Sequence, residues 1–156
     1  MHFLKELFKK EGLNKDEIEF LLERGYILSK QRSLFTRKKA EYLIKERSNE
    51  SPNHTFMVLE TKHFLEKNGI KVETFITKKP DLVFKIKNKT YAIEVETGEV
   101  IKHKDRLQKK VSLLKPYDHW FFIVADRNLV RRYREFGETI DPRSLPNFMK
   151  RLCKNH

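Results

Sequence analysis

Pro80-Asp81-Leu82-Val83-Phe84-Lys85-Ile86-Lys87-Asn88-Lys89-Thr90-Tyr91-Ala92-Ile93-Glu94-Val95-Glu96 is the stretch on which the fold turns. Two runs rich in β-branched and aromatic residues flank Asn88-Lys89, the pattern of a β-hairpin with a two-residue turn. Such a turn pairs residues whose numbers sum to 177, so that Asp81 faces Glu96, Val83 faces Glu94 and Lys85 faces Ala92. Side chains alternate along strands, and all six therefore project from one face, where the carboxylates of Asp81, Glu94 and Glu96 converge. The other face, with Leu82, Phe84, Ile86, Tyr91, Ile93 and Val95, is apolar and is the expected core side. Carboxylates this close repel one another unless a cation or a shared proton relieves them. A divalent metal is the economical explanation; the plainer alternative is an exposed hairpin face whose charged residues alternate with core positions.

Working outward, Phe56, Leu59, Phe64 and Leu65 fall at helical spacing ahead of a C-cap at Asn68-Gly69, and Ile70–Ile76 alternates as a strand. Downstream, a basic helix is expected from about Val100 to Lys115, followed by a buried strand over Asp118–Asp126. A helix through Leu129, Val130, Tyr133 and Phe136 comes next, then an irregular tail that ends in a short basic helix. On the first of these helices, Lys102, Arg106, Lys109 and Lys110 recur at spacings that can share a face suited to phosphates, and Lys104 lies among them. Arg127, Arg131, Arg132 and Arg134 offer further contacts. A solvated helix face is the competing reading.

Pro-Asp, a hairpin and then Glu-X-Glu resembles the core of the PD-(D/E)XK nucleases, which include restriction endonucleases and archaeal Holliday-junction resolvases. The resemblance covers roughly residues 53–135. It implies an α/β restriction-endonuclease-like core of order α-β-β-β-α-β, a mixed sheet flanked by helices. It also implies a Mg²⁺ or Mn²⁺ ion held by Asp81, Glu94 and the Val95 carbonyl, with Glu60 on the preceding helix completing the set. The activity implied is hydrolysis of DNA phosphodiesters, with DNA as partner; many relatives act as dimers, so a homodimer is a further expectation. The family's second motif ends in lysine, however, and here Glu96 stands in that place. Lys85 shares the carboxylate face, Lys102, Lys104, Lys109 and Lys110 follow on the helix, and Glu96 itself could be a ligand or general base. If no cation substitutes, the chain is a nuclease-derived DNA-binding module that no longer cuts.

Ahead of the polar Ser48-Asn49-Glu50-Ser51-Pro52-Asn53 linker, two helices, a short ribbon and a third helix are expected. The first runs through Phe3, Leu4, Leu7 and Phe8; the second is capped by Asn14 and stopped by Gly25; the last runs from Thr36 to about Arg47. This order resembles a shortened winged helix, which divides the chain into a module at 1–49 and a nuclease-like domain at 50–156. The second helix, with Asp16, Glu17, Glu19 and Glu23, is acidic and poorly suited to approach phosphates.

Charge supports a polyanionic partner. The chain of 156 residues carries 34 basic against 22 acidic side chains, a net +12. The first 49 residues contribute +4, the middle to residue 96 only +1, and the remainder +7, so a nearly neutral site region is followed by a basic flank. A lone cysteine, Cys153, excludes an intrachain disulfide and a cysteine-based zinc site. No apolar run approaches the ~20 residues that span a bilayer and no signal peptide is evident, so a cytoplasmic protein without membrane partner is expected.

Overall fold

The computed structural model describes residues 5–47, 50–74, 80–98 and 100–154. The chain divides into two compact units, Met1–Glu60 and Thr61–His156, with the division inside a helix.

In the first unit, β1 (Leu7–Lys9), α1 (Lys15–Glu23), β2 (Tyr26–Arg32) and β3 (Lys39–Lys45) form a three-stranded antiparallel sheet of order β1-β3-β2 with one helix. Asn14 caps α1 as expected, in a reciprocal capping box with Glu17, and Gly25 at φ 84° ends it. Phe8, Leu21, Tyr26 and Leu43 make its core. Two expected helices are strands instead. Leu7–Lys9 pairs with β3, placing Phe8 opposite Leu43; Phe3 and Leu4 lie outside the described residues. Lys39–Lys45 is the central strand of the sheet, although Lys, Ala, Glu and Leu are good helix formers. Pairing on both sides buries Leu43 and Ile44 and overrides that local preference. The ribbon is correspondingly longer than expected, because Ser29–Arg32 continues β2 and the turn moves to residues 33–38.

α2 (Pro52–Lys67) ends where Asn68-Gly69 predicts, with Gly69 at φ 84° and the Ile70 amide donating to the Leu65 carbonyl at 3.0 Å. The second unit is α/β. Its five-stranded mixed sheet has order β4-β5-β6-β7-β8, formed by β4 (Val72–Thr74), β5 (Leu82–Ile86), β6 (Lys89–Glu96), β7 (His119–Val124) and β8 (Thr139–Ile140). The first two pairings are antiparallel and the last two parallel. Phe75 and Ile76, expected to extend β4, lie outside the described residues. A 3-10 turn at Val100–Lys102 precedes α3 (Lys104–Leu114), and α4 (Val130–Arg134) is a single short helix. β8 has no counterpart in the sequence reading, being only two residues long, whereas the terminal helix α5 (Leu145–Lys154) is longer than expected.

The hairpin register differs from expectation by two residues. Its turn is Lys87-Asn88, both at positive φ (48° and 65°), and the observed pairs, such as Val83 with Ala92 and Lys85 with Thr90, sum to 175. Two successive left-handed residues give the turn a twist that matches the strands, and Asn tolerates that conformation better than Lys89 would. Asp81 therefore aligns with Glu94 rather than Glu96. A shift of two leaves every side chain on its face, so Asp81, Glu94 and Glu96 still share one face.

The carboxylate face is not open to solvent. Ala92 of β6 and Phe122 and Val124 of β7 pack with Leu107 and Leu114 of α3 and Val130 and Tyr133 of α4. On the other face Phe121 meets Phe148 of α5, ring centroids 5.1 Å apart. Both faces of the central strands are covered, which is why β6 is buried from Ala92 to Glu96.

Candidate active site

β5 and β6 place three acidic side chains beneath α3. Asp81 directly precedes β5 and is 8% exposed; Glu94 and Glu96 on β6 are 7% and 3% exposed. Burial at this level is incompatible with an ordinary solvated hairpin face, since isolated ionised carboxylates are costly to desolvate. Each has a partner. The Val95 amide donates to Asp81 Oδ2 at 2.8 Å, clamping Asp81 against the neighbouring strand. Lys110 Nζ lies 3.1 Å from Glu94 Oε1 and 3.2 Å and 3.4 Å from the two oxygens of Glu96.

One ammonium thus pairs with two carboxylates, with the Asp81 charge nearby. Burial, then the neighbouring Asp81 and Glu96 charges, push the Glu94 carboxyl up to about 8, against the opposing pull of Lys110. Burial acts against the Lys110 ammonium, but Glu94 and Glu96 outweigh it and raise its pKa above the ordinary lysine value. The cluster is short of positive charge, and its hard oxygen donors suit Mg²⁺ or Mn²⁺.

Lys110 lies on the inner stripe of α3 rather than on the outer, exposed side with its neighbours. Leu107, Lys110, Val111 and Leu114 stand at helical spacing, and Leu107 and Leu114 are buried against the sheet. A lysine interrupting an apolar stripe was the sequence signal for this inward position. Lys102, Lys104, Arg106 and Lys109 are exposed, as is Arg131 on α4. Lys85 is exposed near the turn end of β5, four residues from Asp81 and so about 13 Å along the strand, and is not brought into the cluster. Glu60 belongs to the first unit, where its carboxylate accepts the Leu34 amide at 2.6 Å; burial raises its pKa, opposed by bonds from Ser33 and Leu34.

Tyr133 has no place in the sequence reading beyond its helical spacing. It is fully buried, and its hydroxyl reaches no well-aligned hydrogen-bond partner among the described residues. Burial and then the Glu96 charge raise its pKa, opposed by Lys110 and by the Ile101 backbone, which lies within reach of the hydroxyl at poorer alignment.

No protein-family model matches the chain, and no curated protein matches it. Among solved structures it is similar to the crystal structure of protein VC1899 from Vibrio cholerae, with a TM-score of 0.47 and 12% identity over 97% of this chain. The chain spans 46% of that protein's length.

Proposed function

We propose that Asp81, Glu94, Glu96 and Lys110 form the active site of a metal-dependent nuclease of the PD-(D/E)XK kind that hydrolyses DNA phosphodiesters. The observation that carries this reading is the buried cluster of three carboxylates served by one lysine. The restriction-endonuclease-like reading of the core draws support from the order helix, three strands, helix, strand. Of the winged-helix reading, a helix followed by an antiparallel hairpin remains.

In this reading Asp81, Glu94 and the Val95 carbonyl hold Mg²⁺ or Mn²⁺. When bound, the ion polarises a phosphate oxygen and lowers the pKa of a bound water. The Val95 amide fixes Asp81 against the neighbouring strand through Oδ2. Lys110 supplies the cation that the motif lacks at Glu96, entering from the helix above the same sheet face. Its ammonium stabilises charge that develops on the phosphate, while Glu96 holds it in position. Lys102, Lys104, Arg106 and Lys109 bind the flanking backbone.

Incubation with supercoiled, single-stranded and branched DNA in Mg²⁺ or Mn²⁺ tests the proposal. Cleavage that Asp81→Ala and Glu94→Ala each lower by ~100-fold or more supports it, this being the scale of loss when a group that stabilises the transition state is removed. The commitment of Lys110 to two carboxylates favours a second reading, a DNA-binding module that does not cut. DNA binding without cleavage under any of these conditions selects that reading.

A further inference from the structure

The β2–β3 hairpin carries a second concentration of charge, far from neutral and separate in sequence from α3. Between Ser29 and Ala40 stand Lys30, Arg32, Arg37, Lys38 and Lys39, with no acidic residue among them. All five are exposed, and among the described residues none forms an ion pair. The helix of the same unit has the opposite sign, through Asp16, Glu17, Glu19 and Glu23 against Lys15. The charge of the unit is therefore uneven, and the hairpin tip is its densest run of exposed cations without an intervening acidic residue.

The turn is built rather than loose. Ser33 is buried, and its hydroxyl accepts the amides of Phe35 and Thr36, each at 3.1 Å. The Arg37 amide donates to the Ser33 carbonyl at 3.1 Å, and the Ser33 amide to the Lys38 carbonyl at 3.0 Å. Glu60 holds the Leu34 amide, and Arg32 Nη1 donates to the Arg37 carbonyl at 2.8 Å. Arg37 occupies φ 64°, where Gly or Asn is the usual residue, and the cation is kept there at a conformational cost. Arg32 lies directly opposite Lys39, a cross-strand pair of like charge that lowers stability unless an anion bridges it.

We infer that this hairpin tip is a binding surface for the phosphate backbone of duplex nucleic acid, distinct from the phosphate-facing side of α3. Arg32, Arg37, Lys38 and Lys39 are the contacts, and the pre-ordered turn limits the entropy lost on binding. A two-stranded ribbon is narrow enough to enter a duplex major groove, which is about 12 Å wide. An anionic bilayer fits less well, because the tip offers no exposed apolar side chain to insert: Leu34 is buried and Phe35 half-buried. The inference does not depend on the hydrolytic reading, since backbone contact requires neither metal nor cleavage.

Fluorescence anisotropy of a labelled random-sequence duplex, measured in EDTA across about 50 to 200 mM salt, provides the test. Lys38→Gln/Lys39→Gln leaves every hydrogen bond of the turn in place. A quadruple variant adds Arg32→Gln and Arg37→Asn, Asn being tolerant of the left-handed position. The slope of log K against log salt should fall by about two in the double variant and about four in the quadruple, with affinity reduced at least roughly tenfold. Unchanged slope and affinity in the double variant, with its thermal unfolding intact, overturns the inference. So does a hairpin-dependent association with phosphatidylserine vesicles that exceeds any association with the duplex. Because EDTA removes the metal, a failed nuclease assay leaves this measurement unaffected.

Discussion

At the residue scale, Lys110 is the position on which the proposed chemistry and the stability of the fold meet. Its ammonium offsets two buried carboxylates, and removing one partner of a buried pair leaves uncompensated charge. Lys110→Ala should therefore destabilise the fold by about 3 kcal/mol in urea denaturation and, on the nuclease reading, abolish cleavage. Lys85→Ala, by contrast, should leave both unchanged within error, since that side chain is exposed and outside the cluster. Glu94 gives the pH dependence. Its folded pKa of about 8 lies above the ordinary carboxylate value, so between those limits the folded state holds a proton that the unfolded chain has released. The contribution of this group to stability thus falls as pH rises from about 4.5 through 8, and Glu94→Gln should flatten that part of the stability profile. Added Mg²⁺ should restore stability on the alkaline side, with apparent affinity rising as pH approaches 8, because metal and proton compete for the same oxygen.

At the scale of elements, the β5–β6 hairpin sets the geometry of Asp81 and Glu94, and β8 closes the edge of the sheet. Asn88 at φ 65° fixes the turn, and Asn88→Val should cost about 1–2 kcal/mol because a β-branched side chain is strained there. Lost activity beyond the stability change would report a slipped register. Gly137 leads into β8, and a Cβ there would meet the Trp120 ring at 2.3 Å. Gly137→Ala should accordingly destabilise the second unit by about 1–3 kcal/mol, read as a lower urea midpoint at unchanged slope. The elements also show why local reading misassigned Lys39–Lys45. Its composition favours a helix, and the two strands that make it central both come from earlier in the chain, β1 being separated from it by α1 and β2. In the site hairpin the two-residue error was harmless, since period-two alternation is indifferent to an even shift.

For the molecule as a whole, the net charge of +12 includes exposed cationic stretches on α3 and on the β2–β3 hairpin. Replacing Lys102, Arg106 and Lys109 together with Gln should lower the salt slope of DNA binding by about one for each phosphate that is no longer neutralised, without altering the fold. The sequence by itself determined the hairpin, the shared face of Asp81, Glu94 and Glu96, the end of α2 at Gly69 and the cap of α1. Each depends on short-range rules: alternation along a strand, a side chain reaching its own helix end, or a residue that tolerates positive φ. The tertiary structure alone decided that the carboxylate face is roofed by α3, that Lys110 turns inward to meet it, and that Lys39–Lys45 is a strand. Those outcomes depend on which surfaces are covered by distant parts of the chain, and burial is what converts three neighbouring carboxylates into a site that holds a proton at Glu94 and a lysine between its oxygens.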